Sequence, residues 1–381
     1  MRKFIRKVLI PVIVITLIFS GIPAAEAVSP DKITAPSAIL IEAETGKVLY
    51  DKDSHQIRAC ASITKVMTMI LVMEAIDDGK LHMSDNIAAS AHAASMGGSD
   101  IWLEEGEVMS VHDLIKATMV PSANDAAVVL AEEVSGSEDA FVAKMNEKAK
   151  ALGMKDTTFK NCNGLDEEGH LTSAYDVSLM SRELIKHKEI FEFTNIWMDY
   201  LRGGKTQIVN TNKLLKSYKG ITGLKTGTTS QAGSCISATA VRSGLNLIAV
   251  VLGSASGKER FTDAASLLDY GFANYCIYTP HFDEDIPEIN VKNGMQPKLR
   301  AYANISGSIV TEKGKEKDIT CKLDVIDEVT APVNKGDKVG SLTFYMGKTK
   351  LKEYPVLADH IVDKMDFGSV FSLLFRFFVK L

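Results

Sequence analysis

An α/β layered domain followed by a small all-β module is the fold this sequence predicts. Three observations predict it. Strand-like runs stand near both ends of the stretch from Ser37 to Tyr270 with helical segments between them, so one sheet is assembled from distant parts of the chain. At Pro280 the texture changes, and from Ile286 to Leu357 short alternating runs are separated by turn signals at Asn293-Gly294, Gly307, Gly314 and Gly336-Asp337. The length, 381 residues, exceeds what one core of ordinary size fills.

Taken in order, residues 1–27 read as a secretory signal peptide. Arg2, Lys3, Arg6 and Lys7 form a basic n-region, Val8 to Phe19 an apolar core, and Ala25-Glu26-Ala27 a small-x-small cleavage site. Gly21 and Pro23 end the apolar run where a peptidase cuts, which favours a removed signal over a retained span. Ser37 to Glu42 and Lys47 to Tyr50 read as a hairpin joined by Glu44-Thr45-Gly46. Ser62 to Asp78 is a helix closed by Gly79; Val66, Met67 and Met69 to Met73 make it apolar nearly all round, so it is buried. Helical segments continue to about residue 190. Strands follow at Ile221–Thr226, Ser234–Val241 and Leu245–Leu252, the last two linked by Arg242-Ser243-Gly244, and a helix at Phe261–Tyr270 completes the domain. The organisation is therefore 1–27 signal, 28–278 catalytic domain, 279–357 β-rich domain, and 358–381 linker with an amphipathic helix. In that helix Val370, Phe371, Leu374, Phe375, Phe378 and Leu381 recur at helical spacing, and Ser369, Ser372, Arg376 and Lys380 form one polar stripe. It is too short to span a bilayer but suits a helix lying in the interface as an anchor.

Composition excludes several function classes. Residues 1–27 hold four basic and one acidic residue, so the remainder carries a net charge of about −8, which argues against a nucleic-acid partner. The five cysteines, Cys60, Cys162, Cys235, Cys276 and Cys321, are scattered and odd in number; they read as buried small apolar residues and not as a disulfide framework. The eight histidines show no metal-ligand spacing, so neither a metal nor a cofactor is expected.

Three short motifs carry chemistry. Ser62-Ile63-Thr64-Lys65 puts a hydroxyl and an amine three residues apart at a helix start, on one face. A serine hydroxyl is a poor nucleophile until a base takes its proton, and a lysine serves if burial and positive neighbours disfavour its ammonium form. Alone this pattern is expected about once by chance in a chain this long. Ser122-Ala123-Asn124 follows Pro121 in a break between helices, with Asn124 and Asp125 as a helix start for Ala126–Val134. Lys225-Thr226-Gly227 closes a strand-like run and offers a cation, a hydroxyl and a backbone open to a ligand.

Jointly and in this order, the three motifs resemble the active site of the penicillin-binding proteins and serine β-lactamases. The chain is similar, within that group, to the low-molecular-mass D-alanyl-D-alanine carboxypeptidases over about Val28 to Leu357. Further agreement lies at Asn163-Gly164-Leu165-Asp166, His170, Ser173-Ala174-Tyr175-Asp176, Asn210 to Leu215 and Leu267 to Phe272. The resemblance implies an α/β (α+β) catalytic domain with an antiparallel sheet flanked by helices, and an exported enzyme at the outer face of the cytoplasmic membrane. It implies Ser62 as nucleophile on the peptide bond between the terminal D-alanines of peptidoglycan stem peptides, Lys65 as general base, and Ser122 as proton relay to the leaving amine. By the same resemblance Asn124 is expected to hold the substrate amide and Lys65, and Lys225 to lower the Lys65 pKa by its charge. It further implies an oxyanion hole from the backbone N–H groups of Ser62 and Thr228 beside Gly227, a terminal carboxylate bound by Thr226 and Arg260, and β-lactams as covalent inhibitors. Thr211 stands where some members carry arginine, which leaves fine substrate preference open.

Other readings are a transpeptidase or endopeptidase on the same scaffold, a β-lactamase, and a non-catalytic wall-binding scaffold. A β-lactamase needs a placed carboxylate for its deacylating water, and Glu104 and Glu105 lie in the wrong region, between the first two motifs. A scaffold has no need of Ser62, Lys65, Asn124 and Lys225 together.

Overall fold

The computed structural model describes residues 33–379. The signal expected at residues 1–27 lies outside the described residues, as do Lys380 and Leu381 of the expected terminal helix. Strands β1 (Ser37–Glu42) and β2 (Val48–Lys52) form the expected hairpin. Its turn is closed by buried Glu42, whose carboxylate accepts the backbone N–H groups of Glu44 and Thr45 and the Thr45 hydroxyl. Far along the chain β3 (Ile221–Thr229), β4 (Gly233–Arg242) and β5 (Leu245–Ser254) join it in one sheet of order β2-β1-β5-β4-β3, every neighbour antiparallel. Ser243 and Gly244, both at positive φ, make the tight β4–β5 turn whose twist matches the strands.

The period-2 alternation of β1 assigns its two faces. Ile39 and Ile41 point into a cluster with α1 (Lys65–Asp77), α2 (Asn124–Ser135) and α3 (Ala174–Leu184). Ala38 and Leu40 point the other way, against Leu267 and Leu268 of α4 (Gly257–Asn274). The sheet is thus covered on both faces, and α1 is buried along most of its length as its all-round apolar surface requires. At Gly271 a Cβ would lie 2.5 Å from Leu247 Cδ1, so the glycine sets how closely α4 lies on the sheet.

Several boundaries differ from expectation. The helix read as Phe261–Tyr270 starts at Gly257, because the Ser256 hydroxyl accepts the Glu259 N–H as an N-cap. A small ribbon, Asn86–Ala88 with Val108–Ser110, interrupts the stretch read as helical, and a second, Met198–Leu201 with Thr206–Val209, follows it. Cys60, Cys162 and Cys235 are buried, but Cys276 is only half-buried and Cys321 is exposed, which corrects their reading as buried apolar residues. Cys321 lies on the edge strand Ile319–Val325, most of whose residues face solvent or are only half-covered.

The C-terminal module contains strands and one 3-10 turn between Ile289 and Ala358, with its own core around Leu342, Phe344, Tyr354 and Val356. Strand Tyr275–Tyr278, directly after α4, pairs antiparallel with Ile309–Glu312 of this module. Val310 from that pairing packs in the cluster beneath α4. Lys47 Nζ also donates to the Val310 carbonyl, and the Ser308 hydroxyl donates to Glu44. The terminal helix α5 runs over Phe367–Val379, with Phe367, Phe371, Leu374, Phe375, Phe378 and Val379 exposed. Among the described residues no helix is long and apolar enough to cross a membrane.

Candidate active site

Ser62 lies in a 3-10 turn, Ala61–Thr64, that precedes α1; the expected helix Ser62–Asp78 therefore begins only at Lys65. Ala61 is left-handed at φ 49°, a conformation that a residue with a side chain holds only under outside constraint. Two glycines supply part of that constraint. A Cβ on Gly227 would lie 2.7 Å from the Cys60 carbonyl oxygen and 2.8 Å from the Ser62 nitrogen. One on Gly164, itself at φ 88°, would fall deep inside contact distance of the Ala61 carbonyl. Backbone thus meets backbone on both sides of the turn, which only glycine permits.

Lys65 is fully buried on the first turn of α1. Its Nζ lies 3.1 Å from Ser62 Oγ, 2.5 Å from Asn124 Oδ1 and 2.7 Å from the Asn163 carbonyl oxygen. Burial pushes its pKa down to about 7, opposed by charge interactions with Cys162, Asp100 and Asp125. The expectation that the Lys225 charge does this is corrected: desolvation is the main cause. The repulsion between the two lysines is expressed on Lys225, whose pKa is well below the ordinary value through burial first, then Lys65 and Arg260.

Ser122 is buried at φ 73°, and its Oγ accepts from Lys225 Nζ at 2.8 Å. Asn124 opens α2 two residues earlier than expected, since the helix starts on it and not at Ala126. The N-cap residue is Ala123, whose side chain has no polar atom to cap with, and the Asn124 amide serves the site instead: it takes Lys65 on Oδ1 and donates Nδ2 to the Gly97 carbonyl at 2.6 Å. Asp125 accepts the N–H groups of Ile101 and Leu103 and so pins the preceding loop.

Lys225, Thr226 and Gly227 stand within β3, which continues to Thr229; the strand end expected at Gly227 is corrected because Thr228 and Thr229 keep pairing with Ser234 and Gly233. Thr226 Oγ1 donates to Thr211 Oγ1 at 2.6 Å. Arg260, on α4, donates from Nη1 to the Gly227 carbonyl and to Thr228 Oγ1, both at 2.8 Å. Its buried Nε has no hydrogen-bond partner among the described residues. All nine candidate residues, Ser62, Lys65, Ser122, Asn124, Lys225, Thr226, Gly227, Thr228 and Arg260, are therefore linked by direct contacts into one site.

Sequence reasoning singled out Asn163 and His170 but gave neither a role. The Asn163 carbonyl is a ligand of Lys65, and a backbone oxygen leaves no side-chain signature. His170 reaches Thr64 Oγ1 at 2.7 Å and so touches the serine turn from a distant loop. Among the described residues no group of three His, Cys, Asp or Glu side chains could hold a metal ion.

Chemically, the site offers a hydroxyl, an amine near neutrality beside it, and a second hydroxyl held by a second lysine. That set suits acyl transfer through a serine ester.

Comparison with known proteins agrees. The family model described as D-alanyl-D-alanine carboxypeptidase matches residues 24–256, and that of the penicillin-binding protein 5 C-terminal domain matches 279–364. The D-alanyl-D-alanine carboxypeptidase DacF of Bacillus subtilis (strain 168) is 41% identical over 374 residues, 96% of each chain. The structure of penicillin-binding protein 5 from Haemophilus influenzae superposes with a TM-score of 0.78 at 29% identity, covering 88% of this chain and 99% of that one. Penicillin-binding protein D2 from Listeria monocytogenes, in its ampicillin-bound form, gives 0.58 at 33% identity, covering 63% and 98%.

Proposed function

Because the chain belongs to the D-alanyl-D-alanine carboxypeptidase family, we propose that Ser62 is the nucleophile with which it removes the terminal D-alanine from peptidoglycan pentapeptide stems. The observation that carries this assignment is the buried Lys65 amine 3.1 Å from Ser62 Oγ, with a pKa near 7. Ser62 Oγ attacks the carbonyl carbon of the penultimate D-alanine while its proton passes to Lys65 Nζ. The oxyanion that forms is received by the backbone N–H groups of Ser62 and Thr228. When the tetrahedral intermediate collapses, the C–N bond breaks, the leaving amine takes the hydroxyl proton of Ser122, whose Oγ is held by Lys225, and the proton that Lys65 took from Ser62 replaces it, which returns Lys65 to its neutral form. D-Alanine departs, and water hydrolyses the Ser62 ester with Lys65 again as base. Asn124 orients Lys65 and the substrate amide, while Thr226 and Arg260 bind the terminal carboxylate.

Around this centre the proposal has three further parts. A β-lactam acylates Ser62 as a mimic of the D-Ala-D-Ala end; the ampicillin-bound relative supports this. Residues 28–278 form the catalytic domain and 279–357 the β-rich one. The protein is exported and held at the outer face of the cytoplasmic membrane by α5, a reading supported by that helix's exposed phenylalanines.

A fluorescent penicillin tests the nucleophile: one label per chain is expected, and none on S62A. A labelled S62A overturns it. A pentapeptide ending in D-Ala-D-Ala should lose one residue, and cross-linked dimer as the main product would instead mark a transpeptidase.

A further inference from the structure

The serine turn is tied to the rest of the molecule by a chain of hydrogen bonds whose direction can be derived. The backbone N–H of Lys160 donates to His170 Nδ1 at 3.0 Å, so that ring nitrogen carries no proton. In the neutral ring the proton is then on Nε2, which donates to Thr64 Oγ1 at 2.7 Å. Thr64 in turn donates to the Ala61 carbonyl at 2.9 Å. Ala61 is the left-handed residue directly before Ser62. The same loop that carries His170 brings the Gly164 backbone against Ala61 and the Asn163 carbonyl to Lys65.

We propose that His170 is a positioning residue of the acyl-transfer site, holding Ser62 in its attacking geometry through Thr64 and the Ala61 carbonyl. It touches no reacting atom. Its imidazole sits in the core beside Phe159, with ring centroids 5.8 Å apart, and is almost fully shielded from water. A buried ring with both nitrogens engaged has one arrangement, and it transmits that arrangement to a turn strained at Ala61. Packing of Gly164 and Gly227 restricts the turn from outside; the His170–Thr64 pair ties it from within. The contact should therefore matter for the rate at which Ser62 reacts and little for how tightly substrate is held.

This inference rests on Ser62 being the acylated residue. The test compares the full mature chain with H170F, H170Q and T64V, measuring acylation by a fluorescent penicillin with its rate and saturation constants separated. S62A is run alongside. H170F and T64V should each acylate about tenfold or more slowly, with the saturation constant within about twofold of wild type. H170Q, whose amide N–H can still reach Thr64, should recover most of the rate. The double variant H170F/T64V should lose no more than the worse single one, because both remove one connected path. A wild-type rate in H170F, additive losses in the double variant, or a loss confined to the saturation constant would each overturn the positioning role. If H170F fails to fold, T64V against H170Q decides: a slow T64V with a near-wild-type H170Q supports the role, and a wild-type T64V overturns it. A labelled S62A overturns the nucleophile assignment instead, so the two failures are distinguishable.

Discussion

Lys65 Nζ and the carbonyl oxygen of Asn163 lie 2.7 Å apart, and a carbonyl can only accept. A neutral lysine has two N–H groups and one lone pair. Asn163 and Asn124 Oδ1 take the two N–H groups, which leaves the lone pair for the Ser62 hydroxyl. The same three oxygens accept the three N–H groups of the ammonium form, so the contacts hold Nζ in place in either state, and it is burial that pushes the pKa down to about 7.

The first prediction is the pH dependence of acylation. Lys65 loses its proton as pH rises through about 7, so the base is absent below that value and present above it. The acylation rate should fall about tenfold per pH unit on the acid side of 7 and level off above it. Stopped-flow acylation with a chromogenic cephalosporin checks this; a limb centred above pH 9 would mean that Lys65 is not the base.

A second prediction concerns Gly164. Its φ of 88° and the missing room toward Ala61 make G164A costly twice, by strain and by overlap with backbone. Expected are a loss of about 2–4 kcal/mol in unfolding free energy and a fall of at least tenfold in acylation. Denaturant unfolding and penicillin labelling measure the two.

How much of this was legible beforehand follows from the kind of contact involved. Ser62, Lys65, Ser122, Asn124 and Lys225 act through side chains in short contiguous patterns, so the sequence displays them. Strands β1 and β5 were visible as apolar runs in a sheet assembled from distant parts of the chain, but which strands are neighbours was not. The Asn163 carbonyl and the His170–Thr64 bond span about a hundred residues and involve a backbone atom or a tautomer, which no local pattern encodes. The start of α4 was different: Ser256 and Glu259 stand in capping-box spacing, a signal that was present and overridden by the weight given to the apolar run after Phe261. The two small ribbons carry too few residues to show a period.

A third prediction uses His170 as a stability probe. Burial pushes its pKa down to about 4, against the upward pull of the Glu167 and Asp166 carboxylates. The folded state thus prefers the neutral ring more than the unfolded chain does. Its contribution is complete above pH 6.5 and is lost as pH falls from there through 4, by up to about 3 kcal/mol. Urea unfolding between pH 4 and 7 should show this slope in wild type and a flatter one in H170Q.

The fourth concerns the tail. Deleting residues 363–381 removes α5 with its exposed phenylalanines and should abolish binding of the mature chain to vesicles containing anionic lipid, with penicillin acylation unchanged. Vesicle co-sedimentation reads the first and labelling the second; retained binding would remove α5 as the anchor.

Strand Tyr275–Tyr278 bears on how the molecule can be divided. Its pairing partner, Ile309–Glu312, belongs to the module after it, and Val310 fills space beneath α4. A fragment stopped at Tyr278 keeps the whole acyl-transfer site but ends in a strand without its pairing partner, with Tyr278 stripped of its contact with Phe344. Such an edge recruits other chains. Preparations trimmed at this border should therefore be active when fresh and self-associate on standing.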